Sequence, residues 1–324
     1  MEKDYTKEYP TNVFKFFSLA QFHVDAFIDN YLYLSHPKQL NDGLDACRDF
    51  LYVENIKTPD VYNQIVESIR QNKPQLINHK LSFSTDRTSQ TLKDVLYKSY
   101  FDFNGIISFT DSKASIFNNA MWAHYTNEKG FMIEFHTYSL LEGINKDSRN
   151  KDFEIVTKKI DYKEKLDAID CNLIPNIGGL DTNIIFQKQT YWQQENEWRL
   201  FAKSNHYLND TYGRHLFYPI HAIKRVYLGN KFWEEISENV IKEKEQYTIK
   251  KDYLPFIINL KELGDKVLSS SKSYQTTIGY KNNKKDNETY HPTRSFQKII
   301  KIEIKGNEIA IAYDGCQRCS EKEL

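Results

Sequence analysis

"TYWQQENEWRLFA", residues 190–202, runs from a polar segment into a short apolar alternation. It sets Glu195 and Glu197 one residue apart, directly before Trp198, Arg199, Leu200 and Phe201. Like charges this close cost energy unless something compensates or uses them. The alternation over 196–202 predicts a strand. Glu195, Glu197, Arg199 and Phe201 would then face one way, with Trp198, Leu200 and Ala202 entering the core. On an exposed strand edge, a carboxylate can orient a sugar hydroxyl or stabilise a developing cation. The plainer reading is a solvated edge, with Glu197 paired to Arg199 or a neighbouring lysine.

Working outward, strands and helices interleave. Residues 13–17, 31–36, 105–110, 130–136, 153–160, 222–229 and 253–261 read as strands, and 20–29, 58–72, 90–101, 118–126, 182–193 and 232–245 as helices. "GG" at 178–179 falls in a loop, and the polar stretch 264–295 reads as a mobile loop. "KIIKIEIKGNEIAIAYDG", 298–315, alternates on both sides of Gly306-Asn307 and predicts a hairpin. No regular βαβ rhythm appears. The expected class is therefore α+β, a mixed and largely antiparallel sheet with flanking helices, followed by a C-terminal hairpin extension. The division expected is a main domain over 1–250 and an extension over 251–324.

Composition narrows the function classes. The 324 residues are 40% hydrophobic, enough for a sizeable core. Lys+Arg and Asp+Glu both total 44, so no global field draws the chain to nucleic acid or an anionic membrane. "MEKDYTKEYP" has no signal-peptide core, and no apolar run approaches the ~18 residues of a membrane span. Four cysteines in a chain this long do not make a disulfide framework, so a cytoplasmic protein with reduced thiols is expected. "CQRC" at 316–319 lacks a second ligand pair at zinc spacing, so no metal site is expected.

Two further stretches hold candidate chemistry. In "LYLSHPKQLND", Ser35 and His36 end a strand, with Asn41 and Asp42 in the loop behind. Turn formation and capping explain the same residues. In "NNAMWAHYTNEKGFMIEF", Trp122 and Tyr125 share a helix face. Such a pair can stack on a planar ring, although aromatics at this spacing more often serve the core, and His124 more often the surface.

These blocks together resemble a broad bacterial family of domains of unknown function. Its pattern of a strand ending "lYfS-P-x-x-fNDP-fE", then "lWahYa-x-x-h-x-G-x-x-i-x-F", then "K-x-x-x-W-x-x-E-x-E-W-R" is matched by "YLYLSHPKQLNDGLD", by "MWAHYTNEKGFMIEF", and by Lys188, Trp192, Glu195, Glu197, Trp198 and Arg199. Gly43 departs from it, since members usually carry proline there. The match spans roughly 12–235.

The layout in turn resembles the ADP-ribosyltransferase superfamily. That resemblance implies Lys15 as the basic first-strand residue and Ser35 as the second-motif residue. Trp122 or Tyr125 would stack on nicotinamide, and Glu197 would be the catalytic acid with Glu195 as its upstream partner. His36, Asn41, Lys188 and Arg199 would complete the surroundings of NAD, which is a substrate in this chemistry. The implied function is an ADP-ribosyltransferase or NAD glycohydrolase, suited to a bacterial toxin or anti-phage effector. It would act on an unknown protein or nucleic-acid acceptor, alongside a partner from a defence operon, and on no membrane. Two other readings stay open. One is a metal-dependent nuclease using Glu195, Glu197 and Asp42. The other is a non-catalytic sensor or interaction module in which Lys188, Glu195, Glu197 and Arg199 form a buried ion network.

Overall fold

A computed structural model describes residues 9–52, 63–64, 67, 71, 94, 97, 101–111, 118–170, 184–204, 206–208, 212–241, 246–263, 267–270, 296–305 and 308–318. In chain order the main elements are β1 (Asn12–Phe17), α1 (Gln21–Ile28), β2 (Tyr31–Tyr33), β3 (Asn104–Thr110), α2 (Asn119–Thr126), β4 (Phe131–His136) and α3 (Thr137–Lys146). Next come β5 (Phe153–Lys159), β6 (Asp161–Lys163), β7 (Gln187–Gln189), β8 (Glu197–Ser204), β9 (His215–Phe217) and β10 (Ile223–Leu228). The rest are α4 (Phe232–Ile236), β11 (Ser237–Ile241), β12 (Gln246–Ile249), α5 (Leu254–Glu262), β13 (Val267–Ser270), β14 (Phe296–Lys305) and β15 (Glu308–Arg318). The chain is α+β and its strand pairing is largely antiparallel, as expected.

The residues form two compact units, one of Met1–Asn30, Asp111–Gly143 and Pro219–Leu324, the other of Tyr31–Thr110 and Ile144–Tyr218. In the first, strands run in the order β11-β12-β15-β14-β13-β10-β4-β1, all antiparallel except β10 with β13. The hairpin expected at 298–315 is β14–β15, and its second strand pairs with β12. Phe14, Trp122, Met132 and Tyr227 pack as one cluster, with Phe16 against it. Helix α2 begins where the Asn118 side chain accepts the N–H groups of Ala120 and Met121, and it stops at Asn127 in the left-handed region.

In the second unit β8 lies between β3 and β5, antiparallel to both. β2 pairs with β9, and β6 runs parallel to β7. Being central, β8 buries both faces: Arg199, Leu200, Phe201 and Ala202 are all inaccessible. The exposed strand edge expected for Glu197 is therefore not found, and Trp198, expected in the core, is half-buried.

Other elements differ from expectation for local reasons. The helix expected over 182–193 is replaced by β7 and a 3-10 segment, Thr190–Glu195. Ile184, Ile185 and Phe186 are buried in succession, a pattern no single helix stripe provides. The expected strand 253–261 is the helix α5. Pro255 fits its first turn, and Phe256, Ile257 and Leu260 bury one face. The helix expected over 232–245 ends at Ile236, where the following residues pair with β12. Helix α3 was not foreseen, although Leu140, Leu141 and Ile144 carry its buried stripe. Within 264–295 the described residues 267–270 form β13. Most of the expected helices 58–72 and 90–101, the 178–179 loop and Cys319 lie outside the described residues; those described within the two helices, 63–64, 67 and 71, and 94, 97 and 101, are helical. Among those described, no helix is long and apolar enough to cross a membrane.

Candidate functional site

The 3-10 segment before β8 ends at Asn196, whose φ of 43° is left-handed. That reversal starts the strand at Glu197, and the Glu197 N–H donates to the Tyr162 hydroxyl at 2.8 Å. Alternation along β8 then puts Glu197 and Arg199 on one face. Glu197 is 3% exposed and Arg199 0%. Arg199 donates from Nε and Nη2 to Glu197 Oε1 at 2.9 and 2.7 Å. Its guanidinium also holds Asp45 in a two-pronged pair, Nη1 to Oδ1 and Nη2 to Oδ2, each at 2.8 Å. Nη1 further donates to the Ile185 carbonyl.

Lys188 closes the network from β7. Its Nζ donates to Glu195 Oε2 at 2.7 Å and Glu197 Oε2 at 3.2 Å, and lies 4.0 Å from Asp45 Oδ2. The Trp192 ring covers it, with Nζ 4.7 Å from the centroid. Every member is buried. Three carboxylates, Asp45, Glu195 and Glu197, thus share two cations. Burial opposes the charge on Glu197, but Arg199 and Lys188 outweigh it and hold the carboxyl below its ordinary value. Burial also opposes the charge of Lys188, yet Glu197, Glu195 and Asp45 keep it protonated beyond its ordinary range. For Asp45, burial wins over Arg199, and repulsion from Glu197 adds to it, so its carboxyl is pushed up.

Asp45 is also where the network reaches a cleft of about 510 Å³, whose lining includes His36, Asp42, Asp45, Cys47, Tyr97 and Asp102. His36 Nδ1 accepts the Lys38 N–H at 3.1 Å, and the Gln39 side-chain oxygen accepts the His36 N–H at 2.7 Å, a reciprocal cap of the turn Pro37–Gln39. With Nδ1 accepting, the ring proton lies on Nε2, 3.6 Å from Asp102 Oδ1. Asp42 Oδ1 accepts the Leu44 N–H, which shapes the loop leading to Asp45.

Of the candidate residues, Lys188, Glu195, Glu197 and Arg199 come together in the network, and His36 lines the cleft beside Asp45. Ser35 makes two backbone hydrogen bonds with Ile106, both at 2.9 Å, that attach the chain to β3. Asn41 is exposed in the following loop. Lys15, Trp122 and Tyr125 belong to the first unit. There Trp122 is buried edge-on to Phe16, Tyr125 stacks on Phe16, and Lys15 Nζ lies 5.6 Å from the Phe17 ring centroid. Asp45 and Tyr162 escaped the sequence reading. Asp45 could have been found, because it is the acidic residue that closes the "YLYLSHPKQLNDGLD" block. Among the described residues, no group of three or more His, Cys, Asp or Glu side chains is arranged to hold a metal ion.

No curated protein and no solved structure matches the chain. Residues 121–200, which carry the Trp122–Tyr125 helix and the network members Lys188, Glu195, Glu197 and Arg199, match the model of a family described as a protein of unknown function, DUF2971.

Proposed function

We propose that the second unit is a ligand-binding sensor or interaction module, with the Glu195–Arg199 block as its structural base. The observation that carries this reading is the occupancy of Glu197. It is 3% exposed, Oε1 is taken by Arg199, and Oε2 is taken by Lys188. A carboxylate meant to steady a developing cation must reach the substrate. This one is spent on its own chain. Its role is to hold Arg199, which holds Asp45 and with it the loop that walls the cleft. The lining holds Asp42, Asp49, Asp94 and Asp102 against Lys38, with Asp45 already paired to Arg199, so its field suits a cationic ligand such as an ammonium or guanidinium. A pyrophosphate would be repelled there.

Calorimetric titration of the purified chain with a short alkyl diamine tests the reading. Binding that weakens with salt, and weakens again in Asp94→Asn and Asp102→Asn, supports it. A chain that binds no diamine at low salt and consumes NAD removes it.

A second reading, the NAD-consuming transferase or glycohydrolase, draws on one observation. Glu197 opens an antiparallel strand and is kept ionised, as that chemistry requires. It also requires Lys188 and Trp192 to move aside. NAD turnover that disappears in Glu197→Gln, with the melting temperature unchanged, would favour it.

A further inference from the structure

The first unit holds a charged cluster of its own, Glu134 with Lys224, Arg225 and Tyr227. β10 pairs with β4 as Val226↔Ile133, Arg225↔Glu134 and then Ile223↔Phe135, so Lys224 is the extra residue of a bulge. In a regular strand Lys224 and Arg225 would point to opposite faces. The bulge turns both toward Glu134. Lys224 Nζ lies 3.4 Å from Oε1 and Arg225 Nη1 3.5 Å from Oε2, while the Tyr227 hydroxyl donates to Oε2 at 2.7 Å.

Burial divides the cluster into an anchor and a reaching part. Glu134 is 2% exposed, whereas the Lys224 and Arg225 side chains are 41% and 29% exposed. One cation suffices to neutralise Glu134, so the second leaves a local surplus of one positive charge. Arg225 also meets the Tyr227 hydroxyl, and the guanidinium and ammonium together still carry more N–H donors than Glu134 and Tyr227 can accept. The two cation contacts are longer than the ~2.7–2.9 Å of a closed charge-assisted pair. Glu134 therefore orients the cations without saturating them. A bulge that aims two cations the same way is a built feature, since a regular strand would neutralise Glu134 with Arg225 alone.

We propose that Lys224 and Arg225, held by Glu134 and Tyr227, bind the phosphate or similar oxyanion of a small soluble ligand. Inorganic phosphate is the probe, titrated against the full chain at constant ionic strength and followed by ³¹P line broadening and melting temperature. Saturable binding is expected, with the apparent Kd weakened about tenfold or more in Lys224→Gln and in Arg225→Gln. It should be unchanged in Lys231→Gln, an exposed lysine paired with Glu128. If Arg225→Gln does not fold, Lys224→Gln carries the test, because Arg225 still neutralises Glu134. No saturable binding by the wild type, or equal binding by Lys224→Gln, overturns the proposal and leaves the cations as counter-ions of Glu134. Pelleting with phosphatidate vesicles without binding of free phosphate overturns the soluble ligand.

Discussion

Arg199 and Asp45 lie 154 positions apart and meet in a buried two-pronged ion pair, both bonds at 2.8 Å. The pair ties the central strand of the second unit to the loop that walls the cleft. Removing one partner leaves the other charged and buried, which costs far more than the net worth of the pair. Arg199→Met, which strands the Asp45 and Glu197 carboxylates, should destabilise the chain by about 3–5 kcal/mol, and Asp45→Asn by less, since burial already disfavours the Asp45 charge. The double variant should cost clearly less than their sum, because it leaves neither charge stranded. Urea denaturation of the four proteins measures the coupling, and additive losses would mean that the pair does not act as a unit.

The pH dependence has a sign for each member. Glu197 is held below its ordinary 4.5, so its contribution is present above that pH and is lost as the pH falls through the lowered folded value. Asp45, raised above 3.8 by burial, works the other way and opposes folding increasingly as the pH rises through its folded value. Lys188 is raised above 10.5, so its contribution is present below 10.5 and fades as the pH climbs through the folded value. Melting temperatures of the wild type should therefore fall on the alkaline side beyond about pH 10.5, and Lys188→Met should show a shallower fall there. An identical alkaline limb in both proteins would count against a protonated Lys188 in the network.

Gly130 tests the packing of the first unit. A Cβ there would run into the Phe17 carbonyl oxygen, with the Phe17 carbonyl carbon and Ser18 Cα each 3.0 Å away. These are backbone atoms of the neighbouring strand and turn, so they cannot swing aside as a side-chain tip would. Gly130→Ala should lower stability by about 1–3 kcal/mol. Gly43, with nothing within 4 Å, is the control, and Gly43→Ala should be near neutral. Equal melting temperatures for the two variants would refute the close approach.

Much of this architecture was legible where local signals agree. Asn118 before the Trp122 helix and the alternation around Gly306-Asn307 each point one way, and the structure follows them. Residues 253–261 misled because "YLPFIINL" is apolar enough for a strand. Only the burial of Phe256, Ile257 and Leu260 on one side marks the helix. The order of strands was not readable, and it decides the site. Spacing revealed that Glu195 and Glu197 lie close together, but not that β8 is central, which makes Glu197 a buried ion rather than an exposed acid. The pairing of Asp45 was hidden for the same reason. Its partner Arg199 is far away in sequence, and no local rule joins them.

Glu197 belongs to the fold, and its substitution is the decisive test. Glu197→Gln keeps the shape but removes the carboxylate that both Arg199 and Lys188 contact, so each cation loses one charge-assisted partner. Urea denaturation at neutral pH should show a loss of about 3–5 kcal/mol, and the loss should shrink as the pH falls below about 4.5. A variant as stable as the wild type at neutral pH would mean that Glu197 does not support the fold.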